Sequence, residues 1–323
     1  MIRRKFELFL LSLFASAAVH AQVPSQIVVW SGFPPGGLGD QVSRPLLQRM
    51  KARWPGTLVY DIKAGASGRI AIEFVKRAAP DGTNVVQTTS SAMTVYPHTY
   101  GSRLQYDALA DFIPVGPVVL YTFALAVGPA VPAEVKTIPQ LVQWAAANPN
   151  LANYGIPATG STPHFAGIMF ERASNISLKS VPYKGSGPQL IDLLGGHISM
   201  GFHPIGEVYQ YAKEGKLRLL AVTSPQRWPS VPEVPTFAEL GFRNVSNIDY
   251  IGWYVPAKTP MSFVRQLNQA MQEALDEPGM KELFDKLSLQ GGRESPEVFA
   301  ARVRADHQRW GPIVKSSGVT AED

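Results

Sequence analysis

Twice along this chain a short apolar run empties into a loop of small residues that then opens a helical pattern. The first loop is Pro34-Pro35-Gly36-Gly37-Leu38-Gly39-Asp40. It follows the run at 26–30 and precedes Val42, Leu46, Leu47, Met50 and Trp54 at helical spacing. The second is Tyr154-Gly155-Ile156-Pro157-Ala158-Thr159-Gly160-Ser161-Thr162-Pro163-His164, between a strand at 151–156 and a helix at 161–173. Strands that hand over to helices in this way build α/β units with a mostly parallel sheet, because parallel neighbours need a crossover between them. Two such loops predict two such units.

The rest of the chain keeps the rhythm. Strand patterns fall at 58–62 and 84–88 in the first unit, with a helix at 70–78 and a turn at Asp81-Gly82. The second unit has strands at 123–127, 180–183, 198–202 and 217–222, a helix capped by Thr137 and another at 188–194. After Pro- and Gly-rich sequence at 224–241 comes one more strand at 251–255. Helices at 260–275, 279–287 and 295–314 follow, the last announced by Ser295-Pro296. With 323 residues the chain suits two domains at about 100–200 residues each. If the helical tail returns to the first unit, domain 1 is 22–122 plus 246–323 and domain 2 is 123–245. Ligands of open α/β sheets sit beyond the carboxyl ends of the strands, so two such domains would enclose a cleft.

The first 21 residues read as a secretory signal peptide: Arg3, Arg4 and Lys5, then an apolar stretch to Val19, then Val19-His20-Ala21 as a cleavage site. The mature protein is expected in the periplasm. Leaving out Arg3, Arg4, Lys5 and Glu7 takes the net charge from +5 to +3, too mild to point to nucleic acid. The absence of cysteine excludes thiol nucleophiles, thiolate metal sites and disulfides. No Gly-x-Ser-x-Gly elbow or His-Glu-x-x-His is present, and the six histidines do not cluster. No catalytic residue, metal ligand or cofactor is assigned. A secreted hydrolase using a serine with His164 or His203 is the rival from another class, and no motif selects it.

The binding candidates lie in the loops. Pro35, Gly36, Gly37, Leu38, Gly39 and Asp40 let backbone approach a ligand at a helix start, where amides and dipole favour an anion. The loop is neither a dinucleotide fingerprint nor a phosphate-binding Walker loop. Pro45 is expected to delay or kink the helix that follows. Gly160, Ser161, Thr162 and His164 form the matching site. Ser90 and Ser91 follow another strand, as do Tyr183 and Lys184, and Lys184 can neutralise an anion. Any of these loops also serves as a plain strand–helix turn, and a histidine in a first turn is more often structural.

Taken in order, these segments resemble the Bug receptors, the extracytoplasmic solute-binding proteins of tripartite tricarboxylate transporters. The resemblance is carried by Pro34-Pro35-Gly36-Gly37 with Asp40, Gly65-Ala66-Ser67-Gly68, Asp111-Phe112-Ile113-Pro114-Val115 and Gly160-Ser161-Thr162 with His164. It continues through Val181-Pro182-Tyr183-Lys184-Gly185, Asp192-Leu193-Leu194-Gly195-Gly196, Gly215-Lys216-Leu217-Arg218 and Val231-Pro232-Glu233-Val234-Pro235-Thr236. It implies a two-domain periplasmic-binding fold of the type II kind, a carboxylate held in the cleft, no enzymatic activity, and delivery by a monomer to a membrane permease. An amino-acid or monocarboxylate receptor, or a sensor accessory to a membrane kinase, is the alternative. The chain departs from the family at Tyr96, where Asn is frequent, at Pro45, and at His203, where Asp commonly follows the strand-end Phe. An Asp there would meet an ammonium, whereas a histidine can donate to a second carboxylate. With His203 and Tyr96 in the cleft, an aromatic or C4–C6 dicarboxylate such as terephthalate is expected.

Overall fold

The computed structural model describes residues 24–320; the expected signal peptide lies outside them. The chain runs β1 (Gln26–Ser31), α1 (Leu38–Met50), β2 (Thr57–Ile62), α2 (Arg69–Lys76), β3 (Asn84–Thr89), α3 (Ser90–Thr94), α4 (Tyr96–Tyr100) and β4 (Phe112–Tyr121). It continues with β5 (Phe123–Val127), α5 (Ile138–Ala147), β6 (Asn153–Ile156), α6 (Thr162–Ser174), β7 (Lys179–Pro182), α7 (Ser186–Leu194), β8 (Met200–Pro204), α8 (Ile205–Lys213) and β9 (Arg218–Val222). It closes with β10 (Asp249–Pro256), α9 (Met261–Leu275), α10 (Pro278–Leu287), β11 (Gln290–Gly291) and α11 (Pro296–Ser317).

Two mixed sheets result. The six-stranded one has the order β11-β4-β10-β3-β1-β2, with β1 parallel to β2 and β3 and with β10 antiparallel to β3 and β4. The five-stranded one has the order β7-β6-β8-β5-β9, with β6 parallel to β7 and β8 and with β5 antiparallel to β8 and β9. The chain leaves the first sheet at Thr122, between β4 and β5, and returns between β9 and β10. These two crossings are laced together. The Thr122 hydroxyl accepts the Ser224 N–H at 2.9 Å, and the Thr223 hydroxyl donates to Asn247 O at 3.1 Å.

Local chemistry explains the elements. Thr137 and Ser295 cap α5 and α11 by accepting the amides of Gln140 and Val298, each with Pro in the first turn. α1 begins at Leu38 rather than late, and runs on through Pro45, whose carbonyl accepts the Arg49 guanidinium at 3.2 Å. β4 is long although it holds Pro114 and Pro117. Each lacks a donor, and the ladder to β10 shifts register beside both, between Ile251 and Gly252 and between Trp253 and Tyr254.

α11 packs against both halves of the molecule. His98, in the middle of α4, lies against His307 with ring centroids 4.4 Å apart and the rings tilted at 50°. Further along, Trp310 lies 5.9 Å from Phe165 of α6, and Arg172 of α6 donates to the carbonyls of Ser316 and Ser317 at 3.1 and 2.6 Å. Val95, Phe165, Ile168, Trp310 and Val314 make one apolar cluster there.

Candidate functional site

A cavity of about 490 Å³ lies between the two sheets. On one side it is walled by the loop 34–40, the end of β3 and Ser91; on the other by Ala158, Ser161, the loop 184–188, Pro204 and Glu207. The first wall depends on close backbone approach. A Cβ on Gly32 would stand 2.4 Å from Gly68 Cα, and Gly68 itself has φ +90°, so neither position takes a side chain without strain.

At the start of α1 the N-cap is Gly37, with no side-chain cap. Asp40 reaches back instead, its Oδ2 accepting Gly36 N–H at 3.1 Å while Oδ1 takes the Arg44 guanidinium at 2.7 Å. The first four amides of a helix lack partners within it. Here that of Asp40 turns to Gly37 O, that of Leu38 donates to Glu207 Oε1 at 3.3 Å, and Gln41 N–H closes the first helical bond on Gly37 O. Gly39, between Leu38 and Asp40, lines the cavity.

The start of α6 is built differently. Ser91 Oγ accepts Thr162 N–H at 3.0 Å and lies 2.8 Å from Thr162 Oγ1. The Ser161 hydroxyl turns to Ala158 O at 2.7 Å. His164 Nδ1 accepts Gly160 N–H at 3.0 Å, and burial lowers its pKa to about 4, so the ring is a neutral acceptor that shapes the loop. Beneath it Asp249 is held by Ser90, Asn247 and Thr162; burial raises its pKa to about 6 against the pull of those three donors.

Of the residues singled out in the sequence, Pro35, Gly36, Gly37, Leu38, Gly39, Asp40, Ser91, Ser161 and Lys184 line this cavity, and so does Tyr96. Ser90, Gly160, Thr162, His164 and Tyr183 do not: the first four hold the loops in place, and the Tyr183 hydroxyl donates to Asp192 at 2.7 Å. His203 is a correction. It is fully buried within the second half, neither ring nitrogen has a partner among the described residues, and burial lowers its pKa to about 3. β8 extends to Pro204, and successive residues of a strand face opposite ways. Pro204 therefore meets the cavity and His203 the interior.

Glu207, on the first turn of α8, was not foreseen. Its Oε1 accepts Leu38 N–H from one side of the cleft and the Ser186 hydroxyl, at 2.7 Å, from the other. The residue as a whole is only half-buried, yet its Oε2 is shut off from solvent without a partner. The pKa follows the carboxyl rather than the stem: burial raises it to about 7, opposed by Ser186 and Leu38. An acidic residue soon after a strand that ends in the cleft was the signal available. It was masked because Ile205-Gly206 carries no helix-start pattern.

Comparison with known proteins fits this geometry. Residues 42–319 match the family described as tripartite tricarboxylate transporter family receptor. The protein BugT of Bordetella pertussis is 28% identical over 303 residues, which is 94% of this chain and 92% of that one. The solved periplasmic binding protein BugD superposes with a TM-score of 0.85 at 27% identity, covering 93% of this chain and 100% of that one. The R. palustris protein Rpa4515, solved with adipate, gives 0.85 at 27% identity, covering 91% and 98%.

Proposed function

Because the chain belongs to the tripartite tricarboxylate transporter receptor family, whose members are receptors and not enzymes, we propose that it is a periplasmic receptor for a small carboxylate. It closes on that ligand and passes it to a membrane permease of the same transporter type. The observation that carries this reading is the meeting of the α1 start, with the Gly39 amide, and Lys184 on one cavity between two sheets. Both favour negative charge. The two lobes correspond to 22–122 plus 246–323 and to 123–245, and the paired crossings at Thr122 and Thr223 are where they turn.

Magnitudes decide what else the ligand must offer. Micromolar capture needs about 8 kcal/mol. One helix start supplies at most ~2 kcal/mol. Burial of an apolar ligand body against Phe33, Phe123, Ile191 and Ile251 has to add to it. That favours a diacid with a hydrocarbon or aromatic middle, such as adipate or terephthalate, and the likeness to the adipate-bound R. palustris protein supports it. The test is native mass spectrometry of the purified protein for a co-purifying acid, followed by calorimetry with succinate, adipate, terephthalate, aspartate and glutamate. Tighter binding of the amino acids than of every diacid overturns the choice of diacid. No binding of any acid overturns the carboxylate reading.

A further inference from the structure

Among the described residues, Glu207 is the carboxyl lining the cavity that is held from both of its walls; Asp249, held by Ser90 and Thr162, lies outside the lining. Leu38 N–H belongs to α1, Ser186 to the start of α7, and both donate to Oε1. Such a bond pair exists only while the walls are close. We infer that Glu207 is a proton-bearing latch: the closed cleft takes up a proton on Oε2, and opening gives it back to water. The inference rests on the receptor reading above, and it concerns this chain's own residue rather than the ligand's identity.

The argument is one of solvation. An ionised carboxylate needs donors for both oxygens, and here Oε2 is buried without one. Two donors on Oε1 do not replace the lost water, and the balance of burial against Ser186 and Leu38 leaves the closed-state pKa at about 7, raised from 4.5. A protonated carboxyl keeps both contacts, because its carbonyl oxygen still accepts them. In the open cleft the group returns to water and ionises as an ordinary glutamate does.

Asp249 is the other carboxyl held across the cleft, and burial raises its pKa only to about 6, so it titrates below Glu207 and does so alike in wild type and in a Glu207 variant. The remaining groups do not compete for this role. The Lys184 ammonium and the Asp40 carboxylate face the same cavity, and Asp40 is paired with Arg44. The phenols of Tyr96 and Tyr121 line it too, and burial raises both well away from neutrality. His203, on the strand leading into α8, is neutral because its pKa is lowered to about 3. None of these charges figures among the causes of the Glu207 shift. Glu207 is therefore the group lining the cavity whose charge changes between pH 6 and 8, and closure becomes harder as pH rises through that window.

The experiment compares wild type with Glu207→Gln, which keeps an acceptor for Leu38 and Ser186 and a donor in place of the acid proton. Calorimetry with adipate, or whichever acid of the panel binds, is run at pH 6, 7 and 8 in buffers of different ionisation heat. Wild type is expected to bind about tenfold more weakly at pH 8 than at pH 6, with proton uptake on binding at pH 6. The variant is expected to show neither beyond the titration of the ligand and of Asp249. A wild-type affinity flat across the window, proton release on binding, or an equal slope in the variant overturns the latch. A flat affinity is also what a ligand ammonium paired with ionised Glu207 would give, since both groups already carry those charges before binding. A ligand-free arm keeps the two readings separable. Small-angle scattering without added acid should show wild type closing more at pH 5 than at pH 8 and the variant showing no such change, and dimensions that depend on pH equally in both, or in neither, overturn the latch even if no acid binds.

Discussion

Ser91 and Thr162 meet across the cleft, hydroxyl to hydroxyl at 2.8 Å, and Ser91 Oγ also accepts the Thr162 amide at 3.0 Å. One residue lies in α3, just after β3, and the other opens α6 on the opposite wall. A single side chain thus completes the helix start that the sequence would leave for a ligand.

Replacing Ser91 with Ala should therefore weaken ligand capture without unfolding either half. A buried amide left unpartnered costs about 1–3 kcal/mol. The expected result is a loss of affinity of about tenfold or more by calorimetry, with a melting temperature within a few degrees of wild type. An unchanged affinity would show that the contact plays no part in closure.

Two glycines of the first wall, one lining the cavity and one behind it, should behave oppositely. Nothing lies within 4 Å of a Cβ on Gly37, and its φ is −71°, so Gly37→Val should fold normally and lose binding by blocking the α1 start. Gly32→Ala pushes a methyl into the Gly68 backbone and should cost about 1–3 kcal/mol of stability. Thermal melts and calorimetry on the pair check both claims, and wild-type affinity in Gly37→Val contradicts the placement of the ligand.

Lys184→Met should lower affinity for any carboxylate and make the remaining binding less sensitive to salt. Lys184 is exposed at the cavity rim, where a charge contributes about 1 kcal/mol or less. The expected drop is several-fold, read by titration at low and high ionic strength.

His203 should govern acid stability and not ligand choice. Its folded pKa of about 3 lies below the ordinary 6.5, so the unfolded chain binds more protons between those values. Stability is then fully present above pH 6.5 and falls as pH drops toward 3, by roughly 2–3 kcal/mol near pH 4.5. His164, lowered to about 4, acts in the same direction. His203→Leu should flatten part of this acid limb in pH-dependent melts while leaving ligand affinity at pH 7.5 unchanged. A loss of affinity would return His203 to the cleft.

The fold was legible where one signal dominated. The β1–α1 and β6–α6 loops announce themselves because glycine, proline and hydroxyl residues break an apolar run just before a helical period. Cap residues placed α5 and α11. β4 was hidden by Pro114 and Pro117, which argue against a strand until the register shifts of its partner are known. The short helices α3 and α4 and the turn into α8 lack side-chain caps. In the site, the choice of His203 over Pro204 turned on a single step of strand alternation. Whether a loop amide is free or already taken, as Thr162 is by Ser91 and Leu38 by Glu207, depends on residues 71 and 169 positions away. No local pattern carries that information.

In the receptor proposed above, the contacts of α11 on α6 would give the cleft a fulcrum as well as a mouth. Any swing that parts Ser91 from Thr162 must either roll α6 against the indole of Trp310 or tear Phe165 away from it, and the Arg172 guanidinium tethers the same end to the carbonyls of Ser316 and Ser317. The travel of the jaws would then be set by α11 as well as by the crossings at Thr122 and Thr223. Loosening that bearing would change how fast and how wide they part, while every residue that touches the cargo stayed as it is.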